Sequence, residues 1–155
     1  SDPWPRGTGH VILAIPGSRQ VDKAYHEPGG SFSPAAGSFG ISLWVTDSKG
    51  TIQTTSDSIP IDQVRQQLTW PDRRGIPAIR TDTDYYRSIW SSLGLGSWQL
   101  QLHPHTNSET LLDVVVRSVG PAGDPINTLD WNGQRLLINR RWALTCEPLP
   151  SSVFV

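Results

Sequence analysis

Apolar and polar side chains alternate one for one in segment after segment of this chain, and most of its seven tryptophans fall inside those segments. A period of two sends successive side chains to opposite faces of a strand, so the pattern commits the chain to sheets with one buried face. Tryptophan sharpens that constraint. Its ring is costly to display and useful to bury, so each one belongs either to a core or to a binding surface.

The clearest strand runs from Ser38 to Asp47. Phe39, Ile41, Leu43 and Val45 share one face, and Gly40, Ser42, Trp44 and Thr46 share the other. Asp47-Ser-Lys-Gly50 has turn formers at its ends and Thr51–Thr55 returns, which predicts a β-hairpin. Further on, Trp98, Leu100 and Leu102 alternate with Gln99, Gln101 and His103, and Leu112, Val114 and Val116 alternate with Asp113 and Arg117. Asn132-Gly133 is a strong hairpin signal joining Ile126–Trp131 to Arg135–Thr145. There Leu136, Ile138, Trp142 and Leu144 share one parity, and Arg140 interrupts it, so a bulge or break is expected near Asn139-Arg140.

Two stretches carry helical spacing instead. In Ile59–Trp70 the apolar residues Ile61, Val64 and Leu68 recur at about one turn, Pro60 suits a first turn and Pro71 ends the pattern. In Thr81–Gly94, Thr81 and Asp84 resemble a capping box. Tyr86, Ile89, Trp90 and Leu93 then form a stripe, and Gly94 suits the position after a helix. A strand over Tyr85–Ser91 is the competing reading. Residues 1–37 hold one short apolar run, His10–Ile15, followed from Pro16 to Gly37 by sequence rich in Gly, Pro and Ser, as in a long loop or several short edge pieces.

The length of 155 residues fits one domain with its own core. Fourteen glycines and thirteen prolines favour many short elements over a helical bundle. The expected architecture is mainly β, an antiparallel sandwich with one or two short helices.

The formal charge of −1 offers no broad attraction to nucleic acid or an anionic membrane, and the pairs Arg73-Arg74 and Arg140-Arg141 read as solvated surface. No apolar run is long enough to span a bilayer, and no basic-then-apolar leader is visible. Methionine is absent, so the chain reads as a domain of a longer protein. The lone Cys146 allows no internal disulfide and reads as a small apolar residue, which by default suits a cytoplasmic setting.

No catalytic set emerges. His103-Pro-His105 with Glu109 and Asp113 offers two imidazoles and carboxylates, but the intervening turn residues read as exposed surface rather than a metal site. Asp82-Thr-Asp84 reads as helix capping rather than cation binding. No spacing pairs Asp47, Asp57, Asp72, Asp82, Asp113 or Asp130 for glycoside hydrolysis, and nucleophile-elbow and phosphate-loop motifs are missing. No cofactor is implied.

Trp98, Trp131 and Trp142 share parity with aliphatic neighbours and read as core. Trp44 lies on the face opposite Phe39 and its companions, where it is a stacking platform for a sugar ring or is covered by another element. Tyr86 and Trp90 read as docking a helix onto the sheet. Trp70 stands at a helix end, and Trp4 lies between prolines. Trp44, Trp70, Tyr86 and Trp90 are the candidates for ligand or domain contact.

Arg117-Ser-Val-Gly-Pro-Ala-Gly123, Asp130-Trp-Asn-Gly133 and Ile138-Asn-Arg-Arg-Trp-Ala-Leu144 resemble the non-catalytic β-sandwich that precedes the helical barrel of bacterial glycoside hydrolases of the glucoamylase and glycogen-debranching type. The likeness covers residues 117–144. It implies an accessory domain packed against a catalytic domain of the same protein, with no catalytic residue of its own. A free-standing sugar-binding module using exposed aromatics, and an interaction domain without sugar affinity, are the alternatives.

Overall fold

The computed structural model describes residues 11–14, 23–27, 30–54, 58–70, 75–94, 96–105, 110–118 and 125–155. Trp4, Asp57, Asp72, Arg73, Arg74 and Glu109 lie outside them. In chain order the strands are β1 (Val11–Ala14), β2 (Lys23–His26), β3 (Phe32–Ser33), β4 (Gly40–Thr46), β5 (Ile52–Thr54), β6 (Arg65–Thr69) and β7 (Ala78–Asp82). They continue with β8 (Tyr86–Gly94), β9 (Ser97–Pro104), β10 (Leu111–Arg117), β11 (Leu129–Trp131), β12 (Arg135–Ile138) and β13 (Trp142–Thr145). The fold is mainly β and its sheets are antiparallel. The chain divides into two compact units, Ser1–Asp124 and Pro125–Val155.

The first unit holds two sheets. One runs β1-β2-β3-β4-β10, with β5 pairing the far end of β4 on the β3 side. Alternation along β4 works as expected: Phe39, Ile41, Leu43 and Val45 are all buried. The β4–β5 turn is closed by Asp47, whose Oδ1 accepts the Lys49 and Thr51 amides, each at 2.9 Å, while Gly50 takes a φ of 78°.

The other sheet runs β6-β7-β8-β9. Its inward face carries Ile79, Thr81, Tyr86, Ser88 and Trp90, all buried. Side chains of the two sheets meet. Leu43, Val45 and Leu112 cluster with Tyr85, Tyr86, Leu100 and Leu102, and Phe32 of β3 stacks on Trp90 of β8.

Both expected helices are corrected to strands. Over Ile59–Trp70 the chain makes one 3-10 turn at Ile61–Gln63 and then enters β6. β6 pairs only with β7 among the described strands and is mostly exposed, so its Arg-Gln-Gln sequence needs no apolar face. Over Thr81–Gly94 a tight turn separates β7 from β8. Thr83 Oγ1 accepts the amides of Tyr85 and Tyr86, each at 3.1 Å. That is the chemistry of a helix N-cap, performed here by a hairpin turn. The Tyr86–Trp90 spacing of four also fits either element, being even and close to one helical turn. Ile89 and Leu93 then fall on the opposite face, where Leu93 is 63% exposed. Gly94 does take a positive φ, 88°, but at an irregularity between β8 and β9.

The second unit is a three-stranded sheet, β11-β12-β13. Register places Trp131, Leu136 and Leu144 in one row and Leu129, Ile138 and Trp142 in the next, on one shared face. Asn132 Oδ1 closes the first hairpin by accepting the Gln134 and Arg135 amides at 2.9 Å. The break expected near Arg140 is the second hairpin turn, with Asn139 and Arg140 at φ of 52° and 54°. Among the described residues no helix is long and apolar enough to cross a membrane.

Candidate functional site

A concave site of about 400 Å³ at the β6–β9 sheet is lined by Arg65, Gln67, Arg80, Asp82 and Arg87 from the outward face, with Thr83, His105 and Gln66, whose amide donates to the inward-facing Thr81. Strand register builds it. Arg65 on β6, Asp82 on β7, Arg87 on β8 and His103 on β9 stand opposite one another, so their side chains leave the same face. Two residues along lies a second row of Gln67, Arg80, Ile89 and Gln101.

Asp82 organises the centre. Its Oδ2 accepts from Arg80 Nε and its Oδ1 from Arg87 Nε, both at 2.7 Å. Partial burial of the carboxyl works against ionisation, but the hydrogen bonds and charges of Arg87 and Arg80 outweigh it and hold the group below its ordinary 3.8. Asp82 is therefore a carboxylate at neutral pH, each of its oxygens accepting one guanidinium N–H. Arg65 forms no hydrogen bond or ion pair among the described residues. Three guanidinium groups thus face one carboxylate, and the site carries excess positive charge.

The four aromatic candidates do not converge. Tyr86 and Trp90, at 1% and 4% exposure, are core residues of β8 and present no surface to a ligand. Trp70 follows β6 and is 58% exposed. Trp44 is half-buried on the outer face of β4, in register with Asp113 and Thr54. The Arg117 guanidinium lies over its ring, 5.7 Å from the centroid, and donates from Nη2 to Ser42 Oγ at 3.0 Å. Arg117 is thus a cover for Trp44 supplied by its own sheet. Beside this row, Ile52 and Leu111 flank Thr46 and are 49% and 65% exposed.

His103 and His105 are both exposed, and no group of three or more His, Cys, Asp or Glu among the described residues is placed to hold a metal ion. Asp82 and Asp84 are not helix caps: Asp82 bridges two arginines, and Asp84 is exposed in the β7–β8 turn.

Reading the sequence by residue type missed the arginine cluster. The signal is present in Arg80-Thr-Asp-Thr-Asp-Tyr-Tyr-Arg87, once the segment is folded as a hairpin. Arg80 and Asp82 then share a face, and Asp82 meets Arg87 across the turn. Comparison of the chain with protein-family models, with curated proteins and with solved structures finds no match.

Proposed function

We propose that this chain is a non-catalytic accessory β domain of a larger, carbohydrate-active protein, working beside that protein's catalytic domain and contributing a surface rather than a reaction. The observation that carries this reading is the state of Asp82. A general acid needs a raised pKa; Asp82 is instead held ionised, each oxygen accepting one guanidinium N–H. A groove whose carboxylate is neutralised in this way is suited to holding a ligand. The carbohydrate setting rests on the sequence resemblance of residues 117–144 alone. The exposed Trp70 favours a second reading, a free-standing sugar-binding module with an aromatic contact.

Incubation of the purified chain with neutral and acidic polysaccharides tests the proposal. We expect no release of reducing ends and slowed migration of the protein in gels containing at least one of the polymers. Turnover by the chain alone, or unaltered migration in every gel, overturns it. Loss of the retardation on Trp70→Ala moves the assignment to the second reading.

A further inference from the structure

We propose that the outward face of the β6–β9 sheet binds an acidic oligosaccharide, its carboxylate or sulfate groups held by Arg65, Arg80 and Arg87 and its hydroxyls by the neighbouring glutamine amides. The inference rests on the accessory, carbohydrate-associated reading and goes beyond it by naming the ligand class and the residues.

The argument begins with Asp82. By taking one Nε–H from each of Arg80 and Arg87 at 2.7 Å, it orients two guanidinium groups and leaves the four Nη–H donors of each for a ligand. Guanidinium edges match the paired oxygens of carboxylate and sulfate. Arg65, in the same row and without an ion-pair partner among the described residues, adds a third. These cations outnumber the carboxylate they share the groove with, and a partner of opposite charge is what the groove lacks.

The rest of the face selects the carrier of that charge. Gln67 and Gln101 flank Arg80 and Ile89 in register, and Gln99 is exposed on β9 two residues from Gln101. Each primary amide donates and accepts, as a sugar hydroxyl does, so amides beside guanidiniums fit a chain of hydroxyls that bears acid groups. A nucleic acid is served less well. Stacking of bases needs aromatic platforms, and on these strands Tyr86, Trp90 and Trp98 point to the other face, where Trp90 and Trp98 contact Phe32.

The test is isothermal titration of the 155-residue chain with five probes: an oligogalacturonate, a sulfated oligosaccharide of equal length, a neutral malto-oligosaccharide, inorganic sulfate and a single-stranded oligonucleotide. Arg65→Gln leaves the Asp82 ion pairs in place and is the primary variant; Arg65→Gln with Arg87→Gln is the second. We expect one or both acidic oligosaccharides to bind, weakening as salt is raised. Arg65→Gln should reduce that affinity about tenfold and the double variant should abolish it, while the far-ultraviolet circular dichroism of Arg65→Gln stays unchanged. The two acidic probes tell carboxylate from sulfate recognition. Inorganic sulfate binding as tightly as the oligosaccharides overturns the sugar assignment. Tightest binding to the neutral probe, unaffected by Arg65→Gln, overturns the groove assignment and leaves the accessory reading standing. Failure of every glycan to bind overturns both, as does tighter binding of a single-stranded oligonucleotide.

Discussion

The ring of Phe32 lies nearly parallel to that of Trp90, with centroids 4.0 Å apart and planes 14° from parallel, and so joins β3 of one sheet to β8 of the other. Trp98 meets the same phenyl ring edge-on at 5.3 Å. β3 is only two residues long and pairs with β4 through one register position, Phe32 opposite Ile41. Two positions shared with β2 and the buried 2.8 Å contact of Ser31 Oγ with Ser42 Oγ hold it in its own sheet, and the aromatic contact ties it to the other. Phe32→Ala should therefore cost about 3–5 kcal/mol, the range for emptying a fully buried aromatic site. A double-mutant cycle with Trp90→Leu should return a coupling of about 0.5–1.5 kcal/mol beyond the area lost. Urea unfolding followed by tryptophan fluorescence measures both, and an additive cycle would show that the stacking carries no energy of its own.

His26, opposite Phe32 on β2, is 2% exposed. Burial pushes its imidazole from 6.5 down to about 4, against the opposing effect of a hydrogen bond with the Glu27 backbone. The folded chain thus keeps His26 neutral over a range in which the unfolded chain takes up a proton. Stability from this group is complete above pH 6.5 and is lost as the pH falls toward 4, by roughly 3 kcal/mol in all. The urea midpoint should drop between pH 7.5 and 5, above the range where carboxylates titrate, and His26→Gln should flatten that slope. An equal slope in the variant would place the protonation elsewhere.

The arginine groove offers a test of position against charge. Asp82→Asn removes a negative charge and raises the net positive charge of the groove. If charge alone governs anion binding, affinity for an acidic oligosaccharide rises. Because Asp82 holds the Nε–H groups of Arg80 and Arg87, we expect affinity to fall several-fold instead, as two side chains regain rotamer freedom that binding must then remove. Both arginines are part-exposed, at 30% and 40% for their side chains, so the variant should lose no more than about 1 kcal/mol of stability. Titration calorimetry of the variant beside the parent chain gives the sign directly.

What was legible in the sequence follows from how far each pattern discriminates. The Phe39–Val45 alternation admits a single element, and the Asp47 and Asn132 turns carry their own closing hydrogen bonds. The Tyr86–Trp90 pair is compatible with helix and strand alike, and the Thr81–Asp84 pair that resembles a capping box falls on a buried residue of β7 and an exposed turn residue. At that point the β-branched and aromatic content of Tyr85–Trp90 was the better guide. The groove was hidden behind the same error, since Arg80, Asp82 and Arg87 share a face only when β7 and β8 pair as strands. Arg65 was hidden further, because its strand pairs only with β7 among the described strands and has no buried stripe to announce it.

The turn between β12 and β13 holds two consecutive non-glycine residues in the left-handed region, Asn139 at φ 52° and Arg140 at φ 54°. Asn139 justifies its position: its Oδ1 accepts the amides of Asn127 at 2.7 Å and Thr128 at 3.2 Å, and its Nδ2 donates to the Pro125 carbonyl. Arg140 is exposed, and among the described residues no hydrogen bond compensates its backbone. The left-handed conformation costs a residue with a Cβ roughly 1 kcal/mol that glycine avoids, and Asn-Gly is the preferred pair where two successive turn residues take positive φ. Arg140→Gly should therefore stabilise the β12–β13 hairpin by at most about 0.5 kcal/mol, after the added freedom of glycine in the unfolded chain is set against the relieved strain. Asn139→Ala should destabilise it by about 1–3 kcal/mol, through lost acceptors and the strain of alanine at positive φ. Amide hydrogen exchange along Arg135–Ile138 and Trp142–Thr145 reports on this hairpin without requiring the other unit to unfold. Slower exchange in Arg140→Gly and faster exchange in Asn139→Ala is the expected pair of results; the same sign in both would mean that turn conformation is not what limits the hairpin.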